Sequence, residues 1–375
     1  MNKDIKLTYD DVMIVPEAIS TISSRTECNP YDDYGMLPIF TAPMSTVIDE
    51  NNYKLFIHNG IHVVIPRTVD LRTRVEIMTK EFVPFVAMSV TEARDFFIEK
   101  KYDFYGGWLF ETNKGHISRV CIDVANGHMF CLVELVKEIK KKFGDSVEIM
   151  TGNIANPNTI RYYDMAGVDY CRVSIGTGSG CLTASNTGIY YPQFSLLEEV
   201  YNIKKEEKLK CKIVADGGIR GFRDIQKALI FADYVMIGGL FNKFAESAGE
   251  TTYGKFYFSI GNKKFLNPIK TFLYSGRKVK RITNKLISDF KSGKVELFKD
   301  FYGMSTKKAQ IAMGSTKLKT SEGIVKKNKV EFDIAGWVEN ETDYLKSAMS
   351  YTNSRTLADY KGSEYIVMNR IQFNN

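Results

Sequence analysis

The residues best suited to chemistry lie in one glycine-rich segment, residues 173–193, which reads VSIGTGSGCLTASNTGIYYPQ. Cys181 follows a run of glycines, and Thr183 stands two residues beyond it. A cysteine thiolate is a strong nucleophile, and exposed backbone N–H groups in a glycine loop favour the charged thiolate. Most free cysteines are instead small buried apolar residues. A glycine loop just after a strand favours the reactive alternative, so we interpret Cys181 as a nucleophile.

The elements on either side of this segment must position the thiol. So many glycines in a short span predict a loop, because glycine disfavours both helices and buried strands. The preceding residues 168–173 (VDYCRV) predict a buried strand. Seven further strands are predicted at residues 38–42, 62–65, 82–88, 120–124, 147–151, 212–215 and 234–237. Helices are predicted between them at residues 91–101, 130–143, 157–166, 194–208 and 222–231.

Eight strands that alternate with helices predict a single parallel (β/α)8 (TIM) barrel spanning residues 1–375. The active site of such a barrel lies at the carboxyl ends of its strands. The last two strands end in glycine pairs, Gly217-Gly218 after Asp216 and Gly238-Gly239 before a predicted helix. Each pair alone would also suit a tight turn. Together they predict a phosphate cradle of exposed N–H groups, to which Ser179 adds a third contact.

Composition excludes several classes of protein. The chain has 375 residues, of which 44% are hydrophobic, and it can therefore bury a large core. Its six cysteines form no CxxC pair, so we expect neither a disulfide framework nor a zinc site. The N-terminus is polar, and no apolar run approaches the ~20 residues of a membrane span. We therefore expect a protein of the reducing cytoplasm without membrane contact.

The net charge of +7 is concentrated in residues 251–300, which are rich in lysine and arginine. This segment is interpreted as an insertion after the eighth strand. A nucleic-acid-binding patch is one interpretation, and a solvated lysine-rich insertion is the other. We favour the solvated insertion and do not expect nucleic acid as the main partner.

The segment GTGSGCLT followed by TGIYYPQ resembles the active-site loop of the IMP dehydrogenase/GMP reductase family. The resemblance implies that Cys181 attacks C2 of a purine nucleotide, with Thr183 and Glu322 handling protons. It implies substrate contacts from Ser179, Asp216, Gly217, Gly218, Gly238, Gly239, Gly303, Met304, Ser305, Lys319, Ser321 and Gly323. It implies cofactor contacts from Ser24, Arg25, Arg67, Asp123, Val124, Ala125, Ile175, Gly176, Ser347 and Ser350.

Two activities share this family. Dehydrogenases oxidise IMP with NAD, whereas reductases convert GMP to IMP and ammonia with NADPH through a thioimidate on the cysteine. Residues 67–120 are too short to hold the paired CBS modules of dehydrogenases. Residues 304–320 lack the Arg-Tyr pair of a dehydrogenase flap, and the YPQ triplet at 191–193 resembles reductases. The resemblance therefore favours an NADPH-dependent GMP reductase, with a homotetramer expected from the habit of the family.

Three positions depart from the family pattern. Arg67 replaces the lysine of reductases, Ser45 replaces an aspartate, and Ala184 stands where many members have arginine. They leave open IMP dehydrogenase, or a purine-nucleotide-binding barrel of altered activity. The backbone carbonyls of Gly176, Gly178 and Cys181 remain candidates for a K⁺ site.

Overall fold

The computed structural model describes residues 5–80, 84–101, 117–178, 181–261, 263–314, 317–318, 320 and 323–368. Its central feature is a sheet of eight parallel strands with the spatial order β2-β9-β8-β7-β6-β5-β4-β3. A parallel bridge between Phe40 and His62 joins the first and last strands of this order and closes the sheet. The predicted (β/α)8 barrel is therefore confirmed. The fourteen strands of the described residues are β1 (Val12–Ile14), β2 (Ile39–Thr41), β3 (Val64–Ile65), β4 (Phe85–Met88), β5 (Ser118–Asp123), β6 (Val147–Ile154), β7 (Tyr170–Val173), β8 (Lys212–Asp216), β9 (Tyr234–Ile237), β10 (Thr251–Ile260), β11 (Lys263–Leu266), β12 (Val295–Tyr302), β13 (Val325–Lys329) and β14 (Tyr365–Val367).

The helices cover the outside of the barrel and extend from its carboxyl end. Those of the described residues are α1 (Tyr53–His58), α2 (Leu71–Lys80), α3 (Val90–Ala93, continued by a π-helical turn Arg94–Ile98), α4 (Phe130–Phe143), α5 (Thr159–Ala166), α6 (Thr183–Thr187), α7 (Gln193–Glu207), α8 (Phe222–Leu229), α9 (Pro268–Tyr274), α10 (Asn284–Lys291), α11 (Lys307–Ala312) and α12 (Ile334–Tyr351). Short 3-10 helices lie at Tyr9–Asp11, Arg25–Glu27, Gly144–Ser146 and Phe241–Lys243. The predicted helices agree with α3, α4, α5, α7 and α8 to within a few residues. Helices α1, α2 and α9 to α12 were not predicted, and the helix expected after Gly239 is only the short 3-10 helix Phe241–Lys243.

Helix α4 shows why some helices could be predicted from the sequence. Leu132, Leu135, Val136 and Ile139 recur every three or four residues, and all four are buried against the barrel. Gly144 ends the helix with a φ of 54°, a conformation that costs glycine little. The predicted and observed bounds of this helix are identical.

The interior of the barrel is a small closed core beneath the site. Phe40, Phe85, Tyr170 and Tyr234 pack with ring centroids 5.1–6.0 Å apart, mostly edge-on or tilted. They are joined by short apolar side chains from the other strands. Because this layer fills the barrel, ligands can reach only the open carboxyl end of the sheet.

Residues 251–300 form most of a second, antiparallel sheet with the order β11-β10-β12-β13. It buries a small core of its own, made of Ala245, Val279, Val295, Leu297 and Val330. Strand β13 lies outside the predicted insertion and pairs with β12, so the sheet combines the insertion with a later part of the chain. Strands β1 and β14 pair antiparallel and bring together residues from near both ends of the chain.

Across the residues that the structure covers, no helix combines the length and the apolar character needed to cross a bilayer.

Candidate active site

The glycine loop is closed by a side chain at its far end. The Gln193 amide donates a hydrogen bond of 2.8 Å to the Val173 carbonyl at the end of β7, and Gln193 is buried. The prediction that no helix forms in this segment was wrong for Thr183–Thr187, which form α6. This stretch contains no glycine, and Gly188 ends it in the left-handed region with a φ of 71°.

Cys181 is one of two exposed cysteines, whereas the other four are buried. Its thiol lies 3.2 Å from Thr183 Oγ1 and is oriented to donate a hydrogen bond to that oxygen. Its backbone N–H donates to the Gly178 carbonyl at 2.9 Å, and an antiparallel bridge pairs Cys181 with Gly323. The glycine loop therefore contacts the segment that was predicted to carry the proton handler. Four predicted site residues lie outside the described residues, namely Ser179, Lys319, Ser321 and Glu322.

A cavity of about 690 Å³ opens at the carboxyl end of the barrel, and Cys181 lines it. This volume lies within the range of small-molecule sites. Most of the predicted substrate residues that the structure describes line the same cavity, namely Asp216, Gly217, Gly218, Gly238, Gly239, Gly303, Met304 and Ser305. So do four predicted cofactor residues, Arg67, Asp123, Val124 and Ala125. Lys317 also lines the cavity and adds a cation that the sequence analysis did not single out.

Two of the glycines after β8 and β9, Gly217 and Gly238, have little room for a side chain. Gly217 has a φ of +104°, and a Cβ added there would lie 2.7 Å from Thr177 Oγ1. A Cβ on Gly238 would lie 2.7 Å from the sulfur of Met44. A side chain at either position would displace these neighbours, and both glycines line the cavity. Such an arrangement suits a phosphate held by N–H groups.

The segment Gly303-Met304-Ser305, which was predicted to contact the substrate, is held by the start of α11. The Thr306 side chain accepts from the Ala309 N–H and donates to the Gly303 carbonyl at 2.8 Å. The Gln310 amide donates to the Ser305 carbonyl at 3.0 Å. These bonds fix residues 303–305, which line the cavity, to the N-terminal turn of the helix.

Arg172 also lines the cavity, although it was not among the predicted site residues. It is buried on β7, where Nη1 donates to Asp123 Oδ1 at 2.7 Å. Its Nε and Nη2 donate to Asp216 Oδ2 at 3.0 and 2.8 Å. Asn153 donates to the same oxygen of Asp216 at 2.7 Å, and Arg67 Nε lies 3.4 Å from Asp123 Oδ2. One buried guanidinium therefore joins a predicted cofactor residue to a predicted substrate residue.

The electrostatics of this network favour ionised groups. Burial alone would raise the pKa of Asp123, but the charges of Arg172 and Arg67 outweigh it, and the pKa lies below its ordinary value. Burial would likewise lower the pKa of Arg172, yet Asp216 and Asp123 hold it well above the ordinary value. A signal for the network was present in the sequence, because an arginine in the apolar strand VDYCRV must be paired if it is buried.

Six predicted cofactor residues do not line the cavity, and four of them, Ser24, Arg25, Ser347 and Ser350, lie together elsewhere. Ser24 caps the 3-10 helix that begins at Arg25, and Arg25 Nη2 lies 3.0 Å from Asp343 on α12. Ser347 and Ser350 lie on the same helix, and the Ser350 carbonyl accepts a hydrogen bond from Ser20. The structure therefore brings residues of the N-terminal segment and α12 together, at a position separate from Cys181.

The glycine loop has its own backbone constraints. Gly176 has a φ of +80°, and a Cβ there would lie 3.0 Å from the Ala184 side chain, so this glycine lies beside α6. The Gly178 carbonyl accepts from the Cys181 N–H, which leaves one lone pair for another ligand. Within the described part of the chain, no group of three or more His, Cys, Asp or Glu side chains could hold a metal ion.

Comparison with known proteins adds a family. Residues 111–263 match the model of the IMP dehydrogenase / GMP reductase domain. GMP reductase of Bacillus subtilis is 32% identical over 256 residues, which are 66% of this chain and 75% of the relative. GMP reductase of Buchnera aphidicola is 31% identical over 301 residues, or 76% of this chain and 80% of the relative. GMP reductase of Clostridium acetobutylicum is 33% identical over 258 residues, or 66% of this chain and 75% of the relative.

Proposed function

Since the chain belongs to the IMP dehydrogenase/GMP reductase family, we propose that it catalyses the NADPH-dependent reductive deamination of GMP to IMP and ammonia. The family implies an oxidoreductase that uses a purine mononucleotide and a nicotinamide cofactor. The observation that carries the proposal is the exposed Cys181 thiol beside Thr183, at a cavity lined by two glycine pairs. The relatives named GMP reductase favour the reductive direction.

Covalent catalysis explains the need for a sulfur nucleophile. The Cys181 thiolate adds to C2 of GMP, and the 2-amino group leaves as ammonia to give a thioimidate on the sulfur. NADPH, when bound, supplies the hydride that reduces C2. The C–S bond then breaks and returns the thiolate. The reaction consumes GMP, NADPH and two protons, and gives IMP, NADP⁺ and ammonium.

The leaving amine must be protonated, and two residues are proposed for that role. Thr183 Oγ1 lies 3.2 Å from the Cys181 sulfur, and a hydroxyl so close to the attacking sulfur is proposed to relay a proton to the amine. A hydroxyl cannot supply a proton by itself near neutral pH, so it needs a carboxyl partner. Glu322 is proposed as that partner, and it directly precedes Gly323, which pairs with Cys181.

The substrate is proposed to bind with its phosphate at Gly217, Gly218, Gly238 and Gly239. Asp216 would accept hydrogen bonds from the ribose. Its Oδ2 is occupied by Arg172 and Asn153, whereas Oδ1 has no hydrogen-bond partner within the described residues. One carboxylate oxygen is therefore fixed to the protein and the other remains for the sugar. The base would contact Gly303, Met304, Ser305, Lys319, Ser321 and Gly323.

The nicotinamide end of the cofactor is proposed to contact Arg67, Asp123, Val124, Ala125, Ile175 and Gly176. Ser24, Arg25, Ser347 and Ser350 would contact the other end, where Arg25 could pair with the 2′-phosphate of NADPH. Arg25 and Asp343 are each about half exposed, and such a surface ion pair is worth roughly 0–1 kcal/mol. Exchanging Asp343 for a phosphate would therefore cost little.

Two direct assays test this function. GMP and NADPH should give loss of NADPH absorbance together with an equal amount of ammonia. IMP and NAD should give no reduction of the cofactor. Turnover only in the second mixture would overturn the reductase proposal and leave the dehydrogenase.

IMP dehydrogenase is the second candidate, favoured by Arg67. This residue stands where the reductases have a lysine, and an arginine cannot readily give up a proton. In this cavity the Arg67 Nε lies 3.4 Å from an Asp123 carboxylate oxygen. Nucleotide binding without turnover in either mixture would instead support a barrel of altered activity.

Three further properties are proposed on the family resemblance alone. They are a homotetramer, a cytoplasmic location and K⁺ bound by the carbonyls of Gly176, Gly178 and Cys181. Sedimentation equilibrium tests the first. Initial rates in K⁺ compared with Li⁺ at constant ionic strength test the last, with a clear K⁺ dependence expected.

A further inference from the structure

We propose that residues 251–300, here called the basic segment, form a binding surface for single-stranded nucleic acid. The first observation is charge. The segment holds twelve Lys and Arg against three Asp and Glu, a net of +9, while the whole chain has +7. The remaining 325 residues therefore carry a net of −2. The positive field of the protein comes from this one segment, and such a field attracts a polyanion.

The cations of the basic segment are also accessible. Eleven of the twelve are exposed, the exception being Lys299, whereas none of its three acidic residues is exposed. Three of the exposed cations pair with acids, namely Lys278, Lys291 and Lys294. The other eight have no acidic partner within the described residues, and they are Lys255, Lys263, Lys264, Lys270, Arg277, Lys280, Arg281 and Lys285. They remain available for phosphates.

The second observation is an exposed aromatic platform on the β10–β11 hairpin. Phe258 pairs with Phe265 across the two strands, and residues so paired point to the same face. Their rings are stacked, with centroids 5.7 Å apart and planes 26° apart, yet each residue is 42% exposed. The next pair on this face is Ile260 with Lys263, which places a cation beside the rings. Flat aromatic faces flanked by cations are what unpaired bases stack on.

The charge and the exposed rings of this surface favour one kind of binding partner over the others. A second copy bound through the same face would bring two segments of +9 together, which disfavours self-association. A DNA or RNA duplex keeps its base faces inside the stack, so the Phe258 and Phe265 rings could not reach them. A flexible single strand offers both phosphates and accessible base faces.

This surface is separate from the catalytic cavity. None of residues 251–300 lines that cavity, although the segment joins the barrel directly through β10 and β12. Nucleic-acid binding can therefore be altered without touching the residues proposed for catalysis, and the two proposals can fail independently.

The test is fluorescence anisotropy of the full-length protein with labelled oligo(U) and oligo(dT), over a series of salt concentrations. Binding should weaken with salt, by a logarithmic slope of roughly 0.7 for each phosphate contacted. Phe258→Leu with Phe265→Leu keeps the apolar character but removes the rings. It should weaken binding at least about tenfold with little change of slope, because each stacked base contributes about 1–3 kcal/mol.

A charge variant tests the other half of the proposal. Lys280→Gln with Arg281→Gln should reduce the logarithmic slope by roughly 1.4, since two phosphate contacts are lost. The matched control is Lys141→Gln with Lys205→Gln, two exposed lysines on α4 and α7, and it should leave the slope unchanged. All three variants should keep the wild-type catalytic rate and circular dichroism.

Several outcomes would overturn the proposal. They are the absence of binding at physiological salt, equal affinity for a duplex of the same length, or an unchanged affinity in the leucine variant. Sedimentation with phosphatidylserine vesicles, retained by the leucine variant and without oligonucleotide binding, would assign the surface to a membrane instead.

Discussion

Replacing Arg172 by methionine should cost the protein both stability and activity. The side chain is buried and bonds Asp123 on one side and Asp216 on the other. Methionine keeps much of the volume but leaves two partly buried carboxylates without their main partner. Removing one member of a buried ion pair typically costs ~3–5 kcal/mol. We expect a loss of that size for Arg172→Met in the free energy of unfolding, measured by urea at neutral pH.

The matched control is Arg161→Met. Arg161 also holds a carboxylate with two nitrogens, at 2.7 and 2.6 Å from Glu207, but both side chains are more than a third exposed. Surface pairs of this kind contribute about 0–1 kcal/mol. Both substitutions remove a guanidinium, so the difference between the two losses reports the burial and the number of the carboxylate partners.

The stability that Arg172→Met loses should depend on pH, and the pKa of Asp123 determines in which direction. The pKa of Asp123 is below its ordinary value in the folded protein, so its pairing stabilises the fold above the unfolded pKa of about 3.9 and is lost as pH falls through the folded pKa. In Arg172→Met, burial of Asp123 without that partner should raise its pKa. The deficit of the variant should therefore be greatest near neutral pH and shrink in acid.

A double-mutant cycle decides whether the pairing itself is responsible. Asp123→Asn removes the charge that Arg172 neutralises, so the double variant should be more stable than the sum of the single losses predicts, by about 1 kcal/mol or more. Strict additivity would refute the reasoning, as would equal losses in Arg172→Met and Arg161→Met. Arg172→Lys should recover part of the stability but not kcat/KM for GMP, since one ammonium cannot replace the planar fork.

Three further predictions concern the proposed reaction. Cys181→Ser should abolish NADPH consumption but keep GMP binding, measured by calorimetry, and undiminished turnover would contradict the thioimidate. Gly217→Ala should raise the KM for GMP, because its Cβ would meet Thr177 Oγ1 at 2.7 Å, whereas Gly60→Ala, also at positive φ but with open space around it, should change stability alone. Arg25→Gln should raise the KM for NADPH far more than that for NADH, and equal effects would exclude a role in recognising the 2′-phosphate.

The barrel was predictable because its signals are local. Each of the eight strands is a short apolar run bounded by polar or glycine residues, and the structure contains all eight. Helix α4 was predicted to the residue because its apolar spacing and its terminal Gly144 agree. Helices α1 and α2 were missed because their apolar periodicity is weaker and α2 carries polar residues at many positions.

Contacts between segments that are distant in the chain could not be predicted from local sequence patterns. Arg25 and Asp343 are 318 residues apart, and nothing in either local sequence indicates that they form an ion pair. The fold of the basic segment was likewise not predicted beyond its charge, because its sheet recruits β13 from a later part of the chain. The position of Ser24, Arg25, Ser347 and Ser350 away from the cavity also depends on such pairing.

The ionic network shows how strand register converts separate motifs into one site. Asp123, Asn153, Arg172 and Asp216 come from β5, β6, β7 and β8, which are neighbours in that order. Asp123 lies opposite Gly152, and Gly152 lies opposite Arg172, so these positions share one level of the barrel. A guanidinium at that level reaches carboxylates on both sides and fixes the spacing of the proposed cofactor and ribose contacts. The distance over which a hydride must pass would then depend on Arg172, which is why its replacement should affect kcat/KM as well as folding.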